Sequence, residues 1–302
     1  MSARIPAGKP AAIACTLAAV ACFAALDTTT KVLASAVPVV VVIWFRYLFQ
    51  LLLTLATTRP SQRRRLLHSR RPGLQVLRGV LLVSASAMAF YSLKYMPVAE
   101  FTAVVTLTPL LVTLLAVWRL GERVTPLEWL LVLGGMAGAL VVIRPTHDLF
   151  HWATLLPAVL VLVNAVFQML TRRLAEVDDS ATTQCYTGCV GAGLSTLLLP
   201  WAWEMPPDLR AWSLLALLCV LGTVGHLLLI MAYARAPVAT VTPFLYFQIA
   251  FATVAGWLIF GQVPDALAFG GMALVGLCGS LGTWLAGRQI VPAARAQDYP
   301  GA

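Results

Sequence analysis

Charge is what this sequence has least of. Its 302 residues include 12 acidic and 21 basic side chains, 11% in all, where a soluble domain carries about 25%. So little charge excludes an ordinary water-soluble globule. Catalytic signatures are missing too: there is no H-E-x-x-H, no G-x-S-x-G and no G-x-x-x-x-G-K-[ST], which argues against an intramembrane enzyme and an ATP-driven pump. The four histidines (68, 147, 151 and 226) are scattered. Six cysteines (15, 22, 185, 189, 219 and 278) fall inside apolar runs without the paired short spacing of a zinc site. They read as small, buried, reduced side chains. The expectation is no enzyme, no cofactor and no metal.

What is abundant is apolar surface, at 60% of residues. Runs of about 20 apolar residues recur along the chain, each long enough to cross a roughly 30 Å hydrocarbon layer. Backbone groups in that layer must bond within the segment, so the runs are read as helices. Breaks in the pattern give ten segments: 10–33, 37–57, 74–95, 98–118, 126–144, 150–173, 181–202, 210–234, 238–260 and 264–287. The first resembles a signal peptide in its basic start but runs past signal length without a clear A-x-A site, so it is read as a span. Residues 288–302 read as a polar cytoplasmic tail.

Lysines and arginines flanking the segments divide fifteen against four between alternate sides. The positive-inside rule then puts both termini in the cytoplasm, as expected of a multi-pass protein of the plasma (inner) membrane. The net charge of +9 is therefore topological and does not indicate a nucleic-acid partner. The basic stretch TRPSQRRRLLHSRRPG (58–73) belongs to this pattern, with contact to lipid headgroups a secondary reading.

The chain also repeats itself. Residues 96–127 align without gaps to 236–267 at a shift of 140, matching Pro97 with Pro237, Val98 with Val238, Ala99 with Ala239, Thr102 with Thr242, Thr113 with Thr253, Gly121 with Gly261 and Leu127 with Leu267. Two halves of five spans each follow. An odd number forces the second half to enter the membrane upside down, and inverted halves favour a carrier with a site near the midplane.

The segments YSLKYMPVAEFTAV (91–104) and RLGERVTPLEWLLVLGGMAGALVVI (119–143), with their second-half counterpart AYARAPVATVTPFLYFQIAFATVAGWLIFGQVPD (232–265), resemble the drug/metabolite transporter superfamily, in its branch with two EamA-type domains. The resemblance covers about 10–287, with repeats expected at 10–144 and 150–287. It implies an all-α membrane protein of ten transmembrane helices, arranged as two inverted five-helix repeats around a shared cavity, and movement of small metabolites. Gln262 departs from the Glu that the family often has there, the equivalent of Glu122.

Ionisable groups within spans are costly and usually face an interior or a cavity. Asp27, Lys31, Arg46, Lys94 and Glu100 fall at one depth in the outer half. They suit either a vestibule for a zwitterionic or charged solute, or snorkelling lysines beside a structural Asp27–Arg46 neutralisation. Substrate contacts are expected from Asp27, Arg46, Tyr91, Glu100, Gln168 and Tyr246. Asp27 and His226 are the groups able to couple a proton. Pro109 and Pro243 are expected hinges, and the G-x-x-x-G within GGMAG (134–138) marks close helix contact. The expected cargo is an amino-acid-like or other small zwitterion. A larger cationic nucleoside such as S-adenosylmethionine is the alternative, and a channel a distant one.

Overall fold

The computed structural model describes residues 8–95, 101, 104, 105, 107–120, 125–143, 155–261 and 265–288. Among them the regular elements are all helical. In chain order these are α1 (Lys9–Leu33), α2 (Val39–Thr57), a 3-10 segment (Pro60–Leu67), α3 (Pro72–Tyr95), α4 (Thr108–Leu115) running into a π turn (Ala116–Leu120), and α5 (Pro126–Ile143). The remainder are α6 (Leu155–Ala175), α7 (Ser180–Ala202), α8 (Leu209–Arg235), α9 (Val238–Leu245), α10 (Phe247–Phe260) and α11 (Ala266–Arg288). Six stretches among the described residues are long and apolar enough to cross a membrane, including α1, α2, α3, α6 and α8.

On α1 the hydroxyl residues beside Asp27 satisfy their donors within the helix. Thr28, Thr29 and Thr30 each donate to the carbonyl four residues earlier on α1, at 2.7–2.8 Å. In the stretch DTTT, only Asp27 is thereby left to look outside its own helix.

The principal helix pairs are α1 with α8, α2 with α7, α5 with α11 and α3 with α6. Smaller contacts join α1 to α9 and α10, α4 to α6, α2 to α8 and α3 to α7. Lipid offers no hydrophobic drive for such association, so close approach of backbones carries it. GGMAG lies on α5 against α11. A methyl group on Gly138 would stand 2.8 Å from the carbonyl oxygen of Gly271, and one on Gly134 would stand 2.7 Å from Cys278 Sγ. Gly261 closes α10 in the left-handed region at φ 67°, where glycine carries no Cβ penalty.

Two segments depart from the expected pattern. The stretch expected as one span over 238–260 is broken into α9 and α10 at Tyr246, three residues beyond Pro243. Pro109 stands in the first turn of α4, where its missing N–H costs little.

Candidate functional site

A cavity of about 180 Å³ lies among α1, α2, α3, α4, α6, α8 and the α9–α10 break, roughly ten times the ~15 Å³ a single water needs. Its polar lining includes Asp27, Arg46, Ser86, Asn164, Gln168 and Gln248. Its walls are largely aromatic and aliphatic, with Phe23, Phe101, Phe167 and Tyr246 contributing rings.

Asp27 projects from α1 and accepts a hydrogen bond from Gln248 Nε2 of α10 at 2.9 Å. Among the described residues it makes no ion pair within 4.0 Å. Arg46, 7% exposed, reaches from α2 into the bundle. Its Nη1 donates to Ser86 Oγ of α3 at 2.8 Å, and its Nη2 contacts His226 Nε2 of α8 at 2.7 Å. An arginine only donates, so His226 accepts through Nε2 and carries its proton on Nδ1. The His226 ring is flanked by Phe23 at 4.9 Å and Phe167 at 5.9 Å. Gly222, one turn before His226, makes room for this arginine: a Cβ there would meet Arg46 Nε at 2.6 Å. Asp27 and Arg46 therefore share a cavity without an ion pair within 4.0 Å between them.

Gln168 lines the same cavity and accepts from the Tyr233 hydroxyl at 2.6 Å. Tyr246 and Pro109 line it as well, whereas Pro243 lies inside α9 and is not part of the lining. Tyr91 is 40% exposed, with its ring against Phe90 and away from the cavity. Glu100 lies outside the described residues. Lys31 Nζ donates to the Leu93 carbonyl, and Lys94 stands over the ring of Tyr95.

Two residues went unremarked in the sequence. Ser86 bridges Arg46 to the Tyr47 hydroxyl, which lies 2.9 Å from Ser86 Oγ. A lone serine in an apolar helix gives no signal of such a role. Arg78 is 1% exposed on α3 and donates to Thr171 Oγ1 at 2.7 Å and Thr187 Oγ1 at 2.6 Å. Its place inside LQVLRGVLL carried the same signal as Arg46, but a count of charges flanking the spans passes over it.

Among the described residues no group of three or more His, Cys, Asp or Glu stands ready to hold a metal ion.

The sequence profile of the EamA-like transporter family matches twice, over residues 10–144 and 151–288. A riboflavin transporter of Vibrio cholerae is 28% identical over 213 residues, covering 70% of this chain and 72% of that protein. An S-adenosylmethionine uptake transporter of Rickettsia felis is 26% identical, covering 69% and 71%. A pseudopaline exporter of Pseudomonas aeruginosa is 27% identical over 261 residues, covering 84% and 89%. A solved crystal structure with 20% identity superposes over 90% of this chain at a TM-score of 0.71, a likeness of fold. With two family repeats spanning nearly its whole length, this multi-pass membrane protein belongs to the EamA-like transporters of the drug/metabolite superfamily and is a transporter of small molecules, not an enzyme.

Proposed function

We propose that the protein is a secondary carrier for a small zwitterionic metabolite, amino-acid-like in its charges, working by alternating access of two inverted five-helix halves. The observation that carries this reading is the unpaired coexistence of Asp27 and Arg46 in one cavity. A buried carboxylate and guanidinium that served only structure would neutralise each other. Left apart, they suit an ammonium and a carboxylate of the cargo.

The helix pairings support the inverted halves. If α1, α2, α3, α4 and α5 are exchanged with α6, α7, α8, α9–α10 and α11, then α1–α8 becomes α6–α3, while α2–α7 and α5–α11 map onto themselves. Such self-complementarity is the property of a two-fold relation. Direction agrees with it. α2 ends and α7 begins at the same end, since the Leu67 carbonyl in the loop after α2 accepts from Tyr186 in the first turns of α7. With ten spans, the excess of basic residues on one side supports cytoplasmic termini in the plasma membrane.

The relatives named for S-adenosylmethionine uptake support the second reading, a cationic nucleoside held at Asp27 and the aromatic walls. Arg46 in the same cavity counts against a cargo with a net positive charge.

Counterflow in proteoliposomes tests the carrier reading. Saturable uptake accelerated by internal unlabelled solute is expected, and Asp27→Asn or Arg46→Gln should abolish it while membrane insertion is kept. Linear, non-saturable flux would favour a channel, and unchanged uptake in both variants would remove the zwitterion site.

A further inference from the structure

The cavity lining ends at Leu82 on α3 and at Gln168 on α6. Toward the basic 58–73 loop, the seam of α3 against α6 and α7 is closed by two polar layers. In the first, Arg78 donates to Thr171 of α6 and Thr187 of α7, with its guanidinium carbon 4.5 Å from the centre of the Phe167 ring. Phe167 is itself a wall of the cavity. One turn further out, the fully buried Gln75 donates to Thr183 Oγ1 at 3.1 Å and to Asp178 Oδ2 at 2.9 Å. Asp178, in the turn between α6 and α7, also accepts from the Ser69 hydroxyl and from the Arg70 N–H at 3.0 Å. Every one of these bonds joins the first family repeat to the second.

We propose that this seam is the carrier's gate at the basic end, with Arg78 and the Gln75–Asp178 clasp as its two bolts. The inference rests on the alternating-access reading. Its chemistry is that of a joint built to release. Among the described residues Arg78 has no carboxylate within 4.0 Å. An ion pair buried there would be costly to break, whereas hydroxyl bonds between membrane helices are individually weak. When α3 draws away from α6 and α7, entering water replaces the bonds that Arg78 and Gln75 give up. Asp178 holds the rim, where both loops already meet solvent.

The counterpart seam at the opposite end, α8 against α1 and α2, is built differently. Leu26, Val42, Ile43 and Leu218 meet there, and a second void of about 50 Å³ runs along it from Asp27 and Arg46. This seam carries the Arg46–His226 bond at the cavity wall and the apolar Leu26, Val42, Ile43 and Leu218 beyond it, in contrast to the two hydrogen-bonded layers at the basic end. Removing a bolt should favour opening at the basic end alone.

Thiol labelling reads this directly. With the six native cysteines replaced by serine, Ala85→Cys places a reporter on the α3 wall of the cavity. A membrane-impermeant methanethiosulfonate is applied to either face of oriented vesicles. Asp178→Ala and Gln75→Ala should each raise labelling from the basic face about five-fold, the shift expected from losing one interhelical hydrogen bond. Labelling from the other face should hold or fall. Asp178→Asn, which keeps one acceptor oxygen, should lie between. Unchanged labelling in both alanine variants, or an equal rise from both faces, would overturn the gate. Absence of labelling from either face in every variant would instead count against alternating access itself.

Discussion

The guanidinium of Arg46 donates to Nε2 of His226 across 2.7 Å, joining α2 to α8 at the cavity wall. In this arrangement His226 is an acceptor facing a permanent cation. A second proton on the ring would abolish the bond and set two positive charges together, so proton coupling, if the carrier uses it, falls to Asp27. His226→Gln, which keeps an acceptor oxygen, should leave the pH profile of transport unchanged, whereas a flattened profile would make His226 the titrating group. Uptake rates across pH 5.5–8.5, a window about the ordinary histidine range, decide between them.

Asp27 has Gln248 as its hydrogen-bond partner and, among the described residues, no ion pair within 4.0 Å. Asp27→Asn should therefore leave thermal stability unchanged or raised, since removing a buried charge relieves its desolvation. Binding of the cargo's ammonium should weaken about ten- to hundred-fold, as expected for loss of a hydrogen bond to a charged group worth ~1.5–3 kcal/mol. Melting curves with and without solute separate the two effects. A large fall in stability without solute would make Asp27 structural.

The α5–α11 interface makes a packing prediction. Gly138→Ala would push a methyl group to 2.8 Å from the Gly271 carbonyl, a backbone atom that cannot rotate aside. A loss of about 1–3 kcal/mol is expected. Gly193 on α7 has nothing within 4 Å of a Cβ position, so Gly193→Ala should be neutral or add about 0.4–1 kcal/mol. Unfolding in mixed micelles measures both, and equal effects would contradict the packing account.

How far the sequence discloses the protein varies by element. Long apolar runs announce α1, α2, α3, α6 and α8, because length and hydropathy decide a span before tertiary contacts do. Pro243 signals an interruption of the span over 238–260, but its place at Tyr246 is not announced, since that ring packs on Gly135 of α5, a contact between distant parts of the chain. Asp27, Arg46, Gln168 and Tyr246 stand out in sequence as polar groups within spans and meet at one cavity. Tyr91, expected among the substrate contacts, lies on a half-exposed face of α3, and helical phase around a bundle is not fixed by depth alone. Arg78 and Ser86 are hidden in the sequence for opposite reasons: a count of flanking charges bypasses one, and the other is an ordinary serine in an apolar helix.

Asp178 makes a prediction about acid. Burial raises its carboxyl, but the bonds from Ser69, Arg70 and Gln75, together with the Arg70 charge, outweigh that and hold it below the usual carboxylate value. A depressed value in the folded state means stability present above the unfolded carboxylate value of about 3.9 and lost as pH falls through the folded one. The stability difference between the native protein and Asp178→Asn should therefore be constant above about pH 5 and shrink toward zero as acid is added below it. A difference that grows in acid would reverse the sign and contradict the clasp.

The most direct test of the central claim, that Asp27 and Arg46 each hold one charge of the cargo, is a binding comparison across three forms of one solute. An amino acid that stabilises the protein is compared with its decarboxylated amine and its deaminated acid, against the native protein, Asp27→Asn and Arg46→Gln. The zwitterion should bind the native protein best, Arg46→Gln should bind the amine as well as the zwitterion, and Asp27→Asn should do the same for the acid. Equal binding of all three forms by the native protein, or stabilisation confined to uncharged compounds, would contradict the account.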